Sequence, residues 1–199
     1  MEFDIKQHRA SERRKRAEFV SMFERACEGG DINAFLHAVD GINEYGAWPK
    51  AFARISRLSS IQSAVKDEFM QVWVESKLMG LTAGDRKTLV HALRLLFPAS
   101  ACPTVPLQVY RGAGALERKR AAYGVCWTSD PSVARTFADE YQHWPSGSVI
   151  LSAVVPPAGV IMIRDNVPGY YEESEVVVDP FMLENIRVIE RRAPKPLVE

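Results

Sequence analysis

The sequence predicts an α+β protein, with a helical N-terminal half followed by a small, mostly antiparallel β core. Three observations predict it. Apolar residues recur at helical spacing from about residue 10 to Phe97. The turn-rich stretch PASACPTVP, residues 98–106, ends that period. Beyond it come short β-branched runs bounded by Gly, Pro or Asp. A chain of 199 residues has the length for one sizeable domain with a helical annex. The halves are read as 1–98 and 105–199, or as parts of one continuous domain.

The elements follow in order. Gly29, Gly30 and Asp31 separate two early helices, and Gly41, Gly46 and Pro49 mark another loop. Ile61, Val65, Phe69, Val72 and Trp73 form a helical stripe, with Ser59 and Ser60 as cap candidates and Gly80 as the stop. Leu89, Leu93 and Leu96 repeat the pattern before Pro98. In the second half, residues 107–112, 147–155, 159–163, 175–178 and 186–190 read as strands. One helix interrupts them: Asp130 caps it, Pro131 sits in its first turn, and Val133, Ala134, Phe137, Ala138 and Tyr141 form its apolar face.

Composition is that of an ordinary globular protein: 47% hydrophobic, 25% charged, with 25 basic against 25 acidic side chains. Overall charge therefore selects no partner. Cys27, Cys102 and Cys126 are odd in number and lack zinc-like spacing, which points to a reducing compartment with neither a disulfide framework nor a metal knot. The N-terminus, MEFDIKQHRASERRKRAEF, is too charged for a secretory signal, and no apolar run is long enough to cross a bilayer. The expectation is a soluble protein in the cytoplasm of the producing cell or of a host. Arg9, Arg13, Arg14, Lys15 and Arg16 form a basic stretch, but Glu12 and Glu18 dilute it and no aromatics interleave with it. It reads as a solvated amphipathic helix rather than a nucleic-acid contact.

Three segments of the β half place a polar or charged residue at the edge of an apolar strand: Val109-Tyr110-Arg111-Gly112, Gly124-Val125-Cys126-Trp127-Thr128-Ser129, and Glu173-Ser174-Glu175-Val176-Val177. Each alone has a bland reading: a surface cation, a core cysteine beside an aromatic anchor, a solvated acidic loop. In the last segment an extended backbone would point Glu173 and Glu175 to one face, with Ser174 and Glu172 to the other. A thiol nucleophile at Cys126 lacks a histidine partner, since His8, His37, His91 and His143 are scattered.

An arginine on a first strand, an aromatic-hydroxyl strand leading into a helix, and a Glu-x-Glu entering a late strand together resemble the Arg-Ser-Glu class of mono-ADP-ribosyltransferases. This fold group includes bacterial toxins and effectors and phage-encoded enzymes. The resemblance covers about residues 105–192 and leaves out the helical half. It implies NAD as cosubstrate, no metal, and a target protein, with arginine as acceptor. Arg111 would hold NAD through its phosphates and ribose, and Gly112 would let the backbone approach the ligand.

The family's Ser-Thr-Ser falls on Cys126, Trp127 and Thr128, or one residue later on Trp127, Thr128 and Ser129. A thiol at the first position is a weaker donor than a hydroxyl. Glu175 would stabilise the oxocarbenium ion as nicotinamide leaves, and Glu173 would serve the acceptor. The loop Val167-Pro168-Gly169-Tyr170-Tyr171 would recognise the target, and Glu172 would be solvated. The helical half would complete a wall of the NAD cleft or dock the target, and a regulatory or antitoxin partner fits the same picture. An NAD glycohydrolase and a non-catalytic binding module of the same fold are the alternatives.

Overall fold

The computed structural model describes residues 5–75, 84–98, 103–164 and 173–195, and it divides into two compact units, Met1–Pro98 and Ala99–Glu199. The protein is α+β. Among the described residues the first unit is all helix, and the second holds a six-stranded antiparallel sheet.

In the first unit α1 spans Ile5–Gly29, α2 Ile32–Tyr45, α3 Trp48–Ile55, α4 Ser63–Glu75 and α5 Arg86–Leu96. The glycines at the first break act as expected: Gly30, at φ +80°, leaves α1, and Asp31 caps α2 by accepting the Ala34 amide at 3.0 Å. Gly41 departs from expectation, because it lies inside α2. A Cβ there would come within 2.3 Å of the Phe19 ring, so this glycine admits an aromatic side chain from α1 and makes no loop. Gly46, at φ +58°, closes α2, and Pro49 occupies the first turn of α3.

The expected caps of α4, Ser59 and Ser60, lie ahead of the helix, which begins at Ser63. The Gln62 amide is held by the Cys27 carbonyl at 3.1 Å and its side chain by the Glu28 carbonyl at 3.2 Å. This tie to the end of α1 moves the helix start past the serines, and Ile61 is buried ahead of the helix rather than in it. Gly80 lies outside the described residues. Asp85 caps α5 through the Thr88 amide at 2.8 Å. The core is aromatic: Phe23 stacks on Phe35 and meets Trp48 edge-on, while Phe69, Trp73 and Phe97 form a second cluster.

In the second unit β1 spans Leu107–Gly114, α6 Ala115–Lys119, β2 Cys126–Thr128, α7 Pro131–Tyr141, β3 Ser148–Val155, β4 Val160–Ile163, β5 Glu175–Val178 and β6 Glu184–Arg192. The sheet order is β4-β5-β2-β1-β3-β6. Both carboxylate-bearing β5 and arginine-bearing β1 therefore flank the short β2. Asp130 caps α7 as expected, accepting the Ser132 amide at 2.7 Å. Ala134 and Ala138 of α7 pack on Ile150 and Tyr110, covering one face of the sheet. Val109, Trp127, Leu151, Val176 and Val178 build the core on the other. The five-residue helix α6 has no counterpart in the sequence reading, because one turn is too short to show a period.

Candidate active site

Register across the sheet decides which of the singled-out side chains meet. In antiparallel pairs, residues directly opposite share a face. Tyr110 on β1 opposes Thr128 on β2, and Thr128 opposes Glu175 on β5, so the three form a row across three strands. Cys126, two residues before Thr128, lies on the same face. Trp127 opposes Val176 and turns the other way, into the core, where its indole N–H donates to the Gly124 carbonyl at 3.0 Å. Of the middle motif, Cys126 and Thr128 share the face of Glu175 and Trp127 does not.

The Cys126 thiol hydrogen-bonds with Glu175. Its pKa is pushed well above the ordinary thiol value, by burial first and then by the Glu175 charge; Arg111 works against this shift and Glu173 adds to it. At neutral pH the thiol is protonated, a donor that fixes a carboxylate rather than a nucleophile.

The backbone between Glu173 and Glu175 is not extended. β5 begins at Glu175, and Ser174 has φ +44°, in the left-handed region that costs a non-glycine residue on the order of 1 kcal/mol. Three hydrogen bonds hold the bend. Thr128 Oγ1 donates to the Glu173 carbonyl at 2.7 Å, the Ser129 amide donates to the Ser174 carbonyl at 3.0 Å, and Thr128 Oγ1 in turn accepts the Asp130 amide at 3.0 Å. Thr128 and Ser129 thus clamp the backbone that presents Glu173 and Glu175, and Ser129 does so through its amide with an exposed side chain. Glu172 and the loop Val167–Tyr171 lie outside the described residues.

Arg111 meets β2 by a different route. The Val125 carbonyl accepts the Val178 amide at 2.8 Å, so the next carbonyl, that of Cys126, points to the opposite edge, toward β1. Paired residues between β1 and β2 are limited to Tyr110 and Thr128, and the Arg111 Nη1 donates to the Cys126 carbonyl at 2.6 Å. Its Nε and Nη2 donate to the two Glu117 oxygens at 2.7 and 3.1 Å. Glu117 Oε1 also accepts the Gly124 amide at 3.1 Å. A Cβ at residue 124 would stand 2.7 Å from the guanidinium, so Gly124 makes room for it. Burial opposes the Arg111 charge, but Glu117 outweighs it and the pKa rises. Three of the five guanidinium N–H groups are engaged in this way with described residues.

Gly112 faces α7: a Cβ there would come within 2.2 Å of the Ala134 carbonyl oxygen and 2.4 Å of the Ala138 nitrogen. The close approach this glycine permits is that of the helix. Glu117 is the site residue the sequence reading missed. It lies on a single-turn helix and meets Arg111 only through the turn after β1, so neither spacing nor periodicity signals it. Tyr110 was passed over as well, although it stands beside Arg111 in the sequence.

A separate groove lined by Leu116, Arg118, Lys119, Ser146, Val188 and Arg191 contains none of the expected site residues. Among the described residues no group of three His, Cys, Asp or Glu side chains could hold a metal, and no helix is long and apolar enough to cross a membrane. Comparison of the chain with protein-family models, with curated proteins and with solved structures finds no match in any of the three.

Proposed function

We propose that the chain is an NAD-dependent mono-ADP-ribosyltransferase whose second unit has a fold of that type, and that it modifies a protein side chain, arginine in the first instance. One observation carries the reading. Glu175 enters β5 beside β2 with its carboxylate on the Cys126 thiol, while Arg111 reaches β2 from the other flank.

The chemistry such a group suits is cleavage of an N-glycosidic bond. As nicotinamide leaves with the bonding pair, positive charge grows on the ribose C1′ and its ring oxygen, and a carboxylate already fixed and partly desolvated stabilises it. Glu175 takes this part, held by a thiol that stays protonated. Glu173 takes up the proton released when the acceptor nitrogen bonds to C1′. The Arg111 guanidinium suits a phosphate oxygen, and Glu117 fixes the direction in which it is presented.

One observation favours a second reading, a non-catalytic module of the same fold: Arg111 is already paired with a half-buried carboxylate of its own chain. The test is incubation with NAD labelled in its adenylate part together with lysate protein. Labelled protein and free nicotinamide support the transferase. Nicotinamide without labelled protein indicates an NAD glycohydrolase. Calorimetry showing no NAD binding, with a cellular effect that survives Glu175→Ala, would establish the binding module instead.

A further inference from the structure

We propose that the N-terminal half of α1 is a docking surface for an acidic helix of a partner protein. This stands whether or not the second unit is a transferase.

Helix α1 is 25 residues long, yet its buried residues are Val20, Phe23, Ala26 and Cys27. From Ile5 to Glu18 every residue is exposed except Glu12 and Arg16, which are half-buried. A helical stretch of that length that buries no apolar side chain is marginal in water, and Lys15 ties it to α2 near its end, through the Tyr45 hydroxyl at 3.1 Å. Its first turn also carries no acidic residue to complement the positive end of the helix dipole. The solvated helix expected from sequence is present, but it is not amphipathic in the ordinary sense, for three of its arginines occupy the core-facing side. At about 100° per residue, Arg9, Arg13 and Arg16 fall within an arc of roughly 60°, and Val20, Phe23 and Cys27 occupy an arc of similar width displaced by about 20° further along. Lys6 begins the line.

The stripe therefore continues the packing face of the helix beyond the point where the bundle stops covering it. Arg16 stands at the junction, and its Nε is buried without a hydrogen-bond partner, a donor awaiting an acceptor. The spacing of the three arginines, four residues and then three, spans about 10 Å along the axis and matches carboxylates at i, i+4 and i+7 on a facing helix.

A nucleic acid fits less well. Glu12, one turn from both Arg9 and Arg16, sets a negative charge within the patch that phosphates would meet as repulsion and that a protein surface answers with a single cation. The line also runs into Val20 and Phe23, which are buried in the helical core and offer no face on which a base could stack.

The test uses the full chain and three fluorescent probes at about 0.1 M salt. These are an alanine-rich helical peptide with glutamates at i, i+4 and i+7, a peptide of the same composition with the spacing scrambled, and a short DNA duplex. The spaced peptide is expected to bind about tenfold more tightly than the scrambled one. Arg13→Glu should remove that binding, whereas Arg14→Glu, the same charge change on the neighbouring residue but off the stripe, should leave it within about twofold. Arg9→Glu repeats the test should Arg13→Glu fail to fold by circular dichroism. The proposal is overturned by no binding of the spaced peptide, by equal loss in the on-stripe and off-stripe variants, or by a duplex that binds more tightly than the spaced peptide.

Discussion

Glu173 and Glu175 are separated by one residue, yet they are held differently. Glu175 is the first residue of β5, paired with Thr128 and hydrogen-bonded by the Cys126 thiol, whereas Glu173 precedes the strand and its backbone carbonyl is bound by Thr128. On the transferase reading the two should fail differently. Glu175→Gln is expected to lower both nicotinamide release and transfer by about 10²–10³-fold, the loss that follows removal of one fixed electrostatic partner. Glu173→Gln should abolish transfer while some NAD cleavage persists, as measured by nicotinamide release alongside protein labelling. A second residue-scale prediction concerns Cys27, whose thiol pKa burial pushes up from 9.0 to about 12. The folded state then holds this proton more tightly than the unfolded chain, so stability is full below pH 9 and declines as the pH rises toward the folded value. Denaturant unfolding should show a loss reaching about 2 kcal/mol near pH 10.5. In Cys27→Ala the curve should be flatter over that range, whatever the cost of the cavity at lower pH. Cys126 could be picked out as a site residue from the chain alone, but its protonation state could not, because it depends first on burial and then on a carboxylate 49 positions away in the sequence.

At the scale of elements, the site rests on a short strand between two others and on how closely a helix approaches them. α7 lies so near β1 that Gly112→Ala would drive a methyl into the helix backbone. The variant should lose about 1–3 kcal/mol in denaturant unfolding, since backbone cannot yield as a side-chain tip can. The Asp130 cap and Pro131 announced this helix, and β-branched runs announced the strands, because caps and alternation are local signals. The bend at Ser174 was not legible. Extended parity does not apply across Glu173-Ser174-Glu175, because the backbone bends at Ser174 and the bend is fixed by hydrogen bonds from Thr128 and Ser129, outside β5. Glu117 escaped for the same kind of reason. A side-chain pairing across a turn leaves no period in the sequence.

For the molecule as a whole, the division at Pro98 and Ala99 separates an aromatic helical core from a sheet with its own valine-rich core. Residues 99–199 expressed alone should therefore fold, giving a β-rich circular dichroism spectrum and a cooperative thermal transition. A non-cooperative melt would show that the sheet needs the helices to be stable. By itself the sequence determined the α+β class, the place where helices give way to strands, and most strand positions, because these follow from local periodicity and turn chemistry. Tertiary structure alone decided that Trp127 faces the core while Cys126 and Thr128 face Glu175, that Gly41 and Gly112 admit a ring and a helix, and that Arg111 is paired with Glu117. The physical reason is common to all of these: each is a meeting of residues distant in the chain, set by strand register and close packing, which no local pattern encodes.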